Sequence, residues 1–316
     1  MGSSKSVYNR DTDLLVIGEC MVEFSCEDDV LESESYQKDI GGADIVVAAT
    51  AARLGSRVQL VSSVARDPFH GFIRGGLAEQ NIDISHVVTC QGYNGLYFTS
   101  SQSPEQREYL VHHPGTANRQ IVPSLVYDEM IERCKIVYAS SELQSVSKQT
   151  WSTIFKAFHF AHQNGIMVAY DPNIRLMRWS LEEARMGLCS VMGIVDVIFI
   201  SSPEESMALL GYKHPFEVIG YLRDRGFGTV VVKMGAEGCM VGCEEGLRQF
   251  PQPPEDAAKF KNPVLVGSAF NGGFLHSIAR GYDPFRAAEM ANSVALYKGV
   301  KGGGIDSLPT AADLIQ

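Results

Sequence analysis

Short apolar runs alternate with longer amphipathic stretches along most of the chain. The runs are typical of buried strands, and they lie at 14–18, 21–25, 58–64, 136–139, 167–171, 197–200 and 229–233. The stretches between them have helical periodicity, which predicts helices at 43–54, 69–80, 148–163, 181–191, 203–210 and 216–225. Strands separated by helices predict an α/β fold, with a mainly parallel central sheet and helices on both faces.

One region departs from this pattern and predicts a hairpin. Residues 95–99 and 107–111 alternate between polar and apolar side chains around a Ser-Gln-Ser-Pro turn, as half-exposed antiparallel strands do. With the early segment 26–40, the hairpin region 95–113 predicts a small β-lid over one edge of the sheet. The expected organisation is a flexible leader over 1–12 and a single α/β domain over 13–316.

Composition narrows the class of partner. A formal net charge of −10 over 316 residues argues against nucleic acid. No apolar run approaches the roughly 18 residues that a membrane span requires, and the polar N-terminus does not have the pattern of a signal peptide. The seven cysteines have scattered spacing, which predicts free thiols in a reducing cytosol. These features indicate a cytoplasmic protein with neither nucleic-acid nor membrane partners.

Two segments follow predicted strands and carry candidate chemistry. Gly41 and Gly42 precede the first predicted helix, where paired glycines let a ligand hydroxyl approach the backbone; the alternative is a helix that packs closely through small residues. Asp171, Asn173 and Arg175 follow the strand at 167–171, at the edge of the sheet where open α/β folds bind ligands. They are suited to orienting an anion and a metal-bound water, or they form a polar loop with an Asx turn.

Two further segments suggest a phosphate or nucleotide site. The strand at 229–233 ends at Lys233 and continues into a turn with Gly235 and Gly238, which would shape a nucleotide pocket, although any tight β-turn has this pattern. Residues 261–274 predict a buried strand, a small-residue turn and a helix. Because a helix N-terminus offers unpaired backbone N–H groups, this is where a phosphate would bind.

Taken together and in this order, the four segments resemble the ribokinase (PfkB) family of carbohydrate kinases over residues 13–314. The segments 18–25 and 171–175 are most similar to the 2-keto-3-deoxygluconate kinase branch. The resemblance implies a β-lid over a bound sugar or sugar acid, with ATP and Mg²⁺ on the open side. It also implies transfer of the γ-phosphoryl group to a sugar hydroxyl, and a possible homodimer through the lid.

The resemblance assigns roles to individual residues. The implied substrate contacts are Gly41, Gly42, Glu23, His113 and Arg175. The implied nucleotide contacts are Lys233, Gly235, Gly238 and Asn292, and the implied metal-linked residues are Asp171 and Glu205. The implied catalytic corner consists of Gly267, Ser268 and Arg175.

The catalytic motif departs from the family pattern D-x-x-G-A-G-D-A-F. Across 262–270 only Gly267, Ala269 and Phe270 match, and Ser268 stands where the family has its aspartate base. An unactivated serine is a very weak base at neutral pH, and general-base catalysis is worth about 10²–10⁴-fold. Other departures are Val46 at a sugar-contacting asparagine, His113 at a lid arginine and Ser202 at the asparagine of the N-x-x-E motif.

Two alignments of this corner remain open. In the first, Leu265 and Val266 replace the glycine and alanine whose N–H groups face the phosphate. In the second, 263–266 is the strand before the motif, and the D-T-T-G-A portion is absent; strand propensity favours this version. Ser268 holds the base position in both. The sequence therefore predicts an impaired or inactive kinase, or alternatively a pseudokinase that binds sugar or nucleotide as a regulator or assembly partner.

Overall fold

Two sheets organise the chain, a large central one and a small one that covers part of its edge. The computed structural model describes residues 10–103, 106–112, 115–253, 258–260 and 265–314. The strands are β1 (Thr12–Ile17), β2 (Met21–Cys26), β3 (Gln37–Gly41), β4 (Val58–Ala65), β5 (Ile82–Asp83), β6 (Val87–Cys90), β7 (Gly95–Ser103), β8 (Gln106–His112), β9 (Cys134–Ser140), β10 (Met167–Asp171), β11 (Val197–Ser201), β12 (Thr229–Lys233), β13 (Cys239–Cys243) and β14 (Gly246–Phe250).

Helices occupy both faces of the large sheet. They are α1 (Ala43–Arg53), α2 (His70–Glu79), α3 (Asp128–Glu132), α4 (Ser141–Gln144), α5 (Lys148–Gln163), α6 (Leu181–Val191), α7 (Glu204–Leu210), α8 (Pro215–Arg223), α9 (Val266–Ala279) and α10 (Pro284–Lys301). Short 3₁₀ turns complete several of the connections. Helices on both faces are what the alternating pattern predicted.

The large sheet is mainly parallel, as predicted. Its order is β14-β13-β12-β11-β10-β9-β1-β4-β5, and β6 also pairs with β4. The pairs from β12 across to β5 are parallel, whereas β13 and β14 are added antiparallel at one edge. Within β1, Leu14 and Val16 pack into one apolar cluster, while Leu15 and Ile17 pack into the other. Burial on both faces explains why these strands are continuous apolar runs.

The small sheet forms the lid, with the order β3-β2-β7-β8. The predicted hairpin is present as β7 and β8, and β2 pairs in parallel with β7. On the other side, β3 ends at Gly41 and leads directly into Gly42, the residue that caps the N-terminus of α1. The lid is therefore tied by a two-glycine connection to the first helix of the core.

The N-terminal boundary differs slightly from the prediction. The leader was expected to extend to residue 12, but Thr12 already belongs to β1. Arg10 donates to the Gly165 carbonyl oxygen, and Asp11 forms an ion pair with Arg133. These contacts hold the chain against the domain just before β1, which a polar sequence alone did not indicate. Residues 1–9 lie outside the described part.

Two simpler expectations can be compared with the structure. All seven cysteines are free thiols, as their spacing predicted. Among the described residues, no helix is both long enough and apolar enough to cross a membrane.

Candidate active site

The carboxyl ends of several parallel strands meet the start of α9 at one edge of the large sheet. Asp171 ends β10, Ser201 ends β11 and Lys233 ends β12. Because parallel strands have their carboxyl ends at the same edge, residues far apart in sequence come together here. Two cavities open at this edge, and both fall within the size range of small-molecule sites.

The inner cavity lies between the lid and the strand ends and has a volume of about 300 Å³. Tyr97 and Gly42 line it from the lid side. Charged and polar side chains line it from the sheet side, namely Glu142, Asp171, Arg175, Arg178, Lys233 and Ser268. Its wall thus offers both cations and carboxylates under the cover of the lid, which suits a small polar ligand.

The outer cavity is larger, about 730 Å³, and lies beyond Lys233 on the side away from the lid. Gly235, Gly238 and Asn292 line it, together with the apolar rings of Phe260 and Phe270. Asn292 is held in place because its Nδ2 donates to the Phe250 carbonyl oxygen at 3.0 Å. The predicted nucleotide contacts are therefore gathered in one cavity with apolar surface beside them.

The two cavities share a wall made of Ser201, Lys233 and Gly267. Lys233 Nζ lies close to the start of α9, since a Cβ placed on Gly267 would be 3.7 Å from it. Ser268, the next residue, lines the inner cavity. A group passing from the outer cavity to the inner one would cross this wall beside Ser268.

A hydrogen-bonded network joins the strand ends to α9. Lys233 Nζ donates to Asp171 Oδ2 at 2.7 Å, and Asn271 Nδ2 donates to the same oxygen at 2.6 Å. The Asn173 backbone N–H donates to Asp171 Oδ1 at 3.1 Å, which is the Asx turn that the sequence left as an alternative. Asp171 is therefore both a turn-forming residue and the partner of the central lysine.

Two arginines after β10 line the inner cavity. Arg175 Nε lies 2.7 Å from Glu142 Oε1, and the guanidinium of Arg178 pairs with Glu19. The Arg178 side chain is only 10% exposed, against 42% for Arg175. The sequence pointed to Arg175 as the anion contact, and the structure adds a more deeply buried cation beside it.

Glu205 is buried and serves as an acceptor for the backbone. Its Oε1 accepts from the Ile174 N–H and its Oε2 from the Ser201 N–H, both at 2.8 Å. Burial, followed by the neighbouring charge of Asp171, raises the pKa of Glu205 to about 7. Both carboxyl oxygens thus fix the loops beside the cavities. Within the described ranges, no cluster of three or more His, Cys, Asp or Glu side chains is arranged to hold a metal.

Two implied substrate contacts lie away from the wall of the inner cavity. Glu23 is a buried residue of lid strand β2, and it accepts from Tyr97 Oη at 3.1 Å and from Thr99 Oγ1 at 2.9 Å. Burial raises the pKa of Glu23. The Tyr97 ring crosses Gly41 so closely that a Cβ there would lie 2.1 Å from Tyr97 Oη. Tyr97 therefore separates both residues from the cavity. His113 lies outside the described residues.

The turn before α9 can be compared with the strand predicted for 263–266. Leu265 takes a left-handed conformation with φ of +64°, and Val266 is the first residue of the helix. The strand prediction for 263–266 is therefore wrong at Leu265 and Val266, and residues 261–264 lie outside the described part. Glycine adopts this left-handed conformation most readily, and here it is taken by a residue with a side chain.

Sequence reasoning missed several residues of the inner cavity, among them Arg178, Glu142 and Tyr97. Glu142 lies two residues after the end of β9, so the rule that ligands bind at the carboxyl ends of strands would have pointed to it. Tyr97 was within the predicted lid hairpin, and its ring lies against Gly41. Arg178 had no local signal, because its partner Glu19 is far away in sequence.

Comparison with known proteins agrees with this geometry. Residues 11–311 match the family model described as pfkB family carbohydrate kinase. A 2-dehydro-3-deoxygluconokinase of Thermoproteus tenax is 29% identical over 282 residues, which cover 87% of this chain and 84% of that protein. A 5-dehydro-2-deoxygluconokinase of Clostridium perfringens is 25% identical over 314 residues, covering 95% and 91% of the two chains.

Solved structures share the fold. A putative ribokinase II from E. coli, in complex with ATP and Mg²⁺, superimposes with a TM-score of 0.85 at 20% identity, covering 96% of this chain and 97% of that one. A PfkB protein from Polaromonas superimposes with a TM-score of 0.84 at 24% identity, covering 96% and 99%. The architecture, with its lid and central sheet, is therefore ribokinase-like.

Proposed function

Because the chain belongs to the pfkB family of carbohydrate kinases, we propose that it binds ATP in the outer cavity and a sugar acid in the inner one. We propose further that phosphoryl transfer between them is slow. The observation that carries the proposal is the wall shared by the two cavities, with Lys233 and Gly267 in it and Ser268 beside it. Two ligands bound in these cavities would lie side by side, and proximity is most of what phosphoryl transfer requires.

The residues of the outer cavity fit ATP. The first turn of α9 directs backbone N–H groups and the positive end of its dipole toward the shared wall, where phosphates would bind. Lys233 adds a cation at the same place. Gly235 and Gly238 keep the turn after β12 open, and the rings of Phe260 and Phe270 offer apolar surface for a base. ATP would supply the γ-phosphoryl group.

Mg²⁺ fits only indirectly. Asp171 and Glu205 accept hydrogen bonds from protein groups at all four of their carboxyl oxygens. Mg²⁺ usually keeps several water ligands and binds substrate phosphates. In our proposal it therefore enters with the nucleotide, and these two carboxylates contact only its waters.

The inner cavity suits an acid. Arg175 and Arg178 present guanidinium groups there, and guanidinium groups pair well with carboxylates. The two relatives described above are named as kinases of dehydro-deoxygluconates. A polyhydroxylated acid would place hydroxyl groups near Ser268 and its carboxylate near the arginines.

The chemical step is weakened at one position. Ser268 stands where an aspartate would take the proton of the attacking hydroxyl, and its own hydroxyl has little basicity at neutral pH. Loss of the general base costs about 10²–10⁴-fold. Since kinases typically turn over at roughly 1–100 s⁻¹, the expected rate is between about 10⁻⁴ and 1 s⁻¹. What remains is positioning by Lys233, Arg175 and the start of α9.

A second candidate is a pseudokinase that binds sugar or nucleotide as a regulator or assembly partner. The side chain of Leu265 favours it, because that side chain adds bulk at the turn where phosphate would approach.

A homodimer through the lid and a cytoplasmic location also belong to the proposal. Exposed Leu31 and Tyr36 near the lid support a contact surface there.

The test combines binding with turnover. ATP–Mg²⁺ at 100 times its dissociation constant should stabilise the fold by about 2.7 kcal/mol, measured by thermal unfolding. Coupled turnover is then measured with 2-keto-3-deoxygluconate, gluconate, fructose and ribose. Slow turnover with an acid supports the kinase, and binding without turnover supports the pseudokinase. Absence of nucleotide binding would contradict the kinase and favour a pseudokinase that binds a sugar or a protein partner.

A further inference from the structure

Arg178 is the most buried cation on the wall of the inner cavity. Its side chain is 10% exposed, whereas that of Lys233 is 13% and that of Arg175 is 42% exposed. A charge in such an environment interacts strongly with an opposite charge, because little water screens it. A ligand carboxylate entering under the lid would meet this guanidinium at close range.

Glu19 holds the Arg178 guanidinium in one orientation. The Glu19 side chain is fully buried and forms an ion pair with Arg178 Nη1. The same Nη1 donates to the Glu142 carbonyl oxygen at 3.2 Å, and Nη2 lies 3.6 Å from Met21 Sδ in the first lid strand. Bonds to three separate segments restrict rotation of the guanidinium, so it is preorganised for a ligand.

One donor of Arg178 has no acceptor. Among the described residues, Nε is buried and makes no hydrogen bond. A buried donor without a partner costs about 1–3 kcal/mol, and such groups are rare in folded proteins. A carboxylate bound at the Nε edge would supply the missing acceptor.

We infer that Arg178 determines specificity for an acidic substrate and that Glu19 positions it. The inference rests on the proposed function, since it assigns the acid group of the sugar acid to the buried arginine. Arg175, being more exposed and bonded to Glu142 through Nε, then contributes less to the choice between an acid and a neutral sugar. Arg178 follows Arg175 on the same loop but reaches a deeper part of the cavity.

The experiment measures preference for acids over neutral polyols by calorimetry. The probes are 2-keto-3-deoxygluconate and gluconate as acids, and glucitol as the neutral counterpart of gluconate. The variants are Arg178→Met, Arg178→Lys, Arg175→Met and, as a matched control, Arg286→Met, which breaks an exposed ion pair with Glu289 far from the cavity. A charge-assisted hydrogen bond is worth roughly 10- to 150-fold in affinity.

Arg178→Met should weaken binding of both acids by that factor and leave glucitol nearly unchanged. Arg178→Lys should recover part of the preference, because it keeps the charge but loses the planar fork. Arg286→Met should bind as the wild type does. If Arg178→Met unfolds because it removes the ion-pair partner of the buried Glu19, the double variant Arg178→Met, Glu19→Gln removes both charges and serves the same comparison.

The outcomes separate the inference from the proposed function. If the wild type binds acids and Arg178→Met keeps the preference, the inference is wrong while the proposed function stands. Equal losses for acids and glucitol would show that Arg178 only shapes the cavity, which also contradicts the inference. If the wild type binds none of the acids, both fail together.

Discussion

Lys233 and Asp171 form an ion pair in the wall between the two cavities, and replacing Lys233 by Met should destabilise the protein strongly. The Nζ–Oδ2 distance is 2.7 Å, and the two side chains are 13% and 3% exposed. Removing one partner of a buried pair typically costs about 3–5 kcal/mol, because the remaining charge is left without compensation. The loss should therefore exceed that expected for an exposed lysine.

The expected cost translates into a shift in melting temperature. The unfolding entropy is about 2.1 cal/mol/K per residue, so a chain of 316 residues loses roughly 6 °C for about 4 kcal/mol. Thermal and urea unfolding of Lys233→Met measure this, with exposed Lys148→Met as the control. The double variant Lys233→Met, Asp171→Asn should recover at least half of the loss, since neither charge of the pair remains.

Nucleotide binding gives an independent readout of the same position. Loss of a charge-assisted hydrogen bond to phosphate should weaken ATP by roughly 10- to 150-fold, and the double variant should not restore it. If Lys233→Met lowers the free energy of unfolding by less than about 1 kcal/mol, the reasoning from a buried ion pair is refuted, because exposed ion pairs contribute about that much to stability. Unchanged affinity for ATP would refute the placement of phosphate at the shared wall.

Two further predictions concern stability. Burial and the nearby Arg280 charge lower the pKa of His276 to about 4. As the pH drops from about 6.5 toward 4, the unfolded chain therefore binds the proton before the folded one, and the folded state should lose stability. Because the ring is partly exposed and solvent screens its charge, we expect this loss to be on the order of 1–2 kcal/mol. In the wild type, Ser56 Oγ lies 2.7 Å from His276 Nδ1, and His276→Asn keeps a hydrogen-bond partner for it. Urea unfolding at pH 7 and at pH 4.5 should show that the variant loses less stability between these pH values than the wild type does. Equal losses would contradict the assignment of the pH dependence to His276. Gly42 has φ of +117° and a Cβ there would lie 2.4 Å from the Glu19 carbonyl oxygen, so Gly42→Ala should cost about 3 kcal/mol or more. As a control, a Cβ placed on Gly71 in α2 would meet nothing within 4 Å, so Gly71→Ala should stabilise the protein by about 0.5–1 kcal/mol. Similar effects of the two substitutions on stability would show that the backbone at Gly42 is unstrained.

Local sequence signals were enough to locate most of the elements. The helices Lys148–Gln163 and Leu181–Val191 were predicted with their observed bounds, and each begins after a serine that forms a capping box, Ser147 and Ser180. The strand Thr229–Lys233 was also predicted with its bounds, since both its faces are buried and its apolar run is uninterrupted. In these segments, local preference and tertiary packing favour the same structure.

The parts that sequence did not reveal depend on distant contacts. Val264-Leu265-Val266 has the composition of a strand, but the start of α9 requires Leu265 to adopt a left-handed conformation that its own preference opposes. Arg178 is oriented by Glu19, 159 positions away along the chain, so no local pattern marks it. Glu23 matches a substrate contact by motif, but Tyr97 and Thr99 occupy its carboxylate.

The most direct test of the central claim is the turnover number of Ser268→Asp with ATP–Mg²⁺ and a sugar acid. The account predicts a rise of about 10²–10⁴-fold over the wild type, with little change in the affinity for either ligand. Ser268→Asn has nearly the same shape without the negative charge, and it should show no such gain. If Ser268→Asp binds both ligands and turns over no faster than Ser268→Asn, the missing base does not limit the reaction, and the account of this corner is wrong.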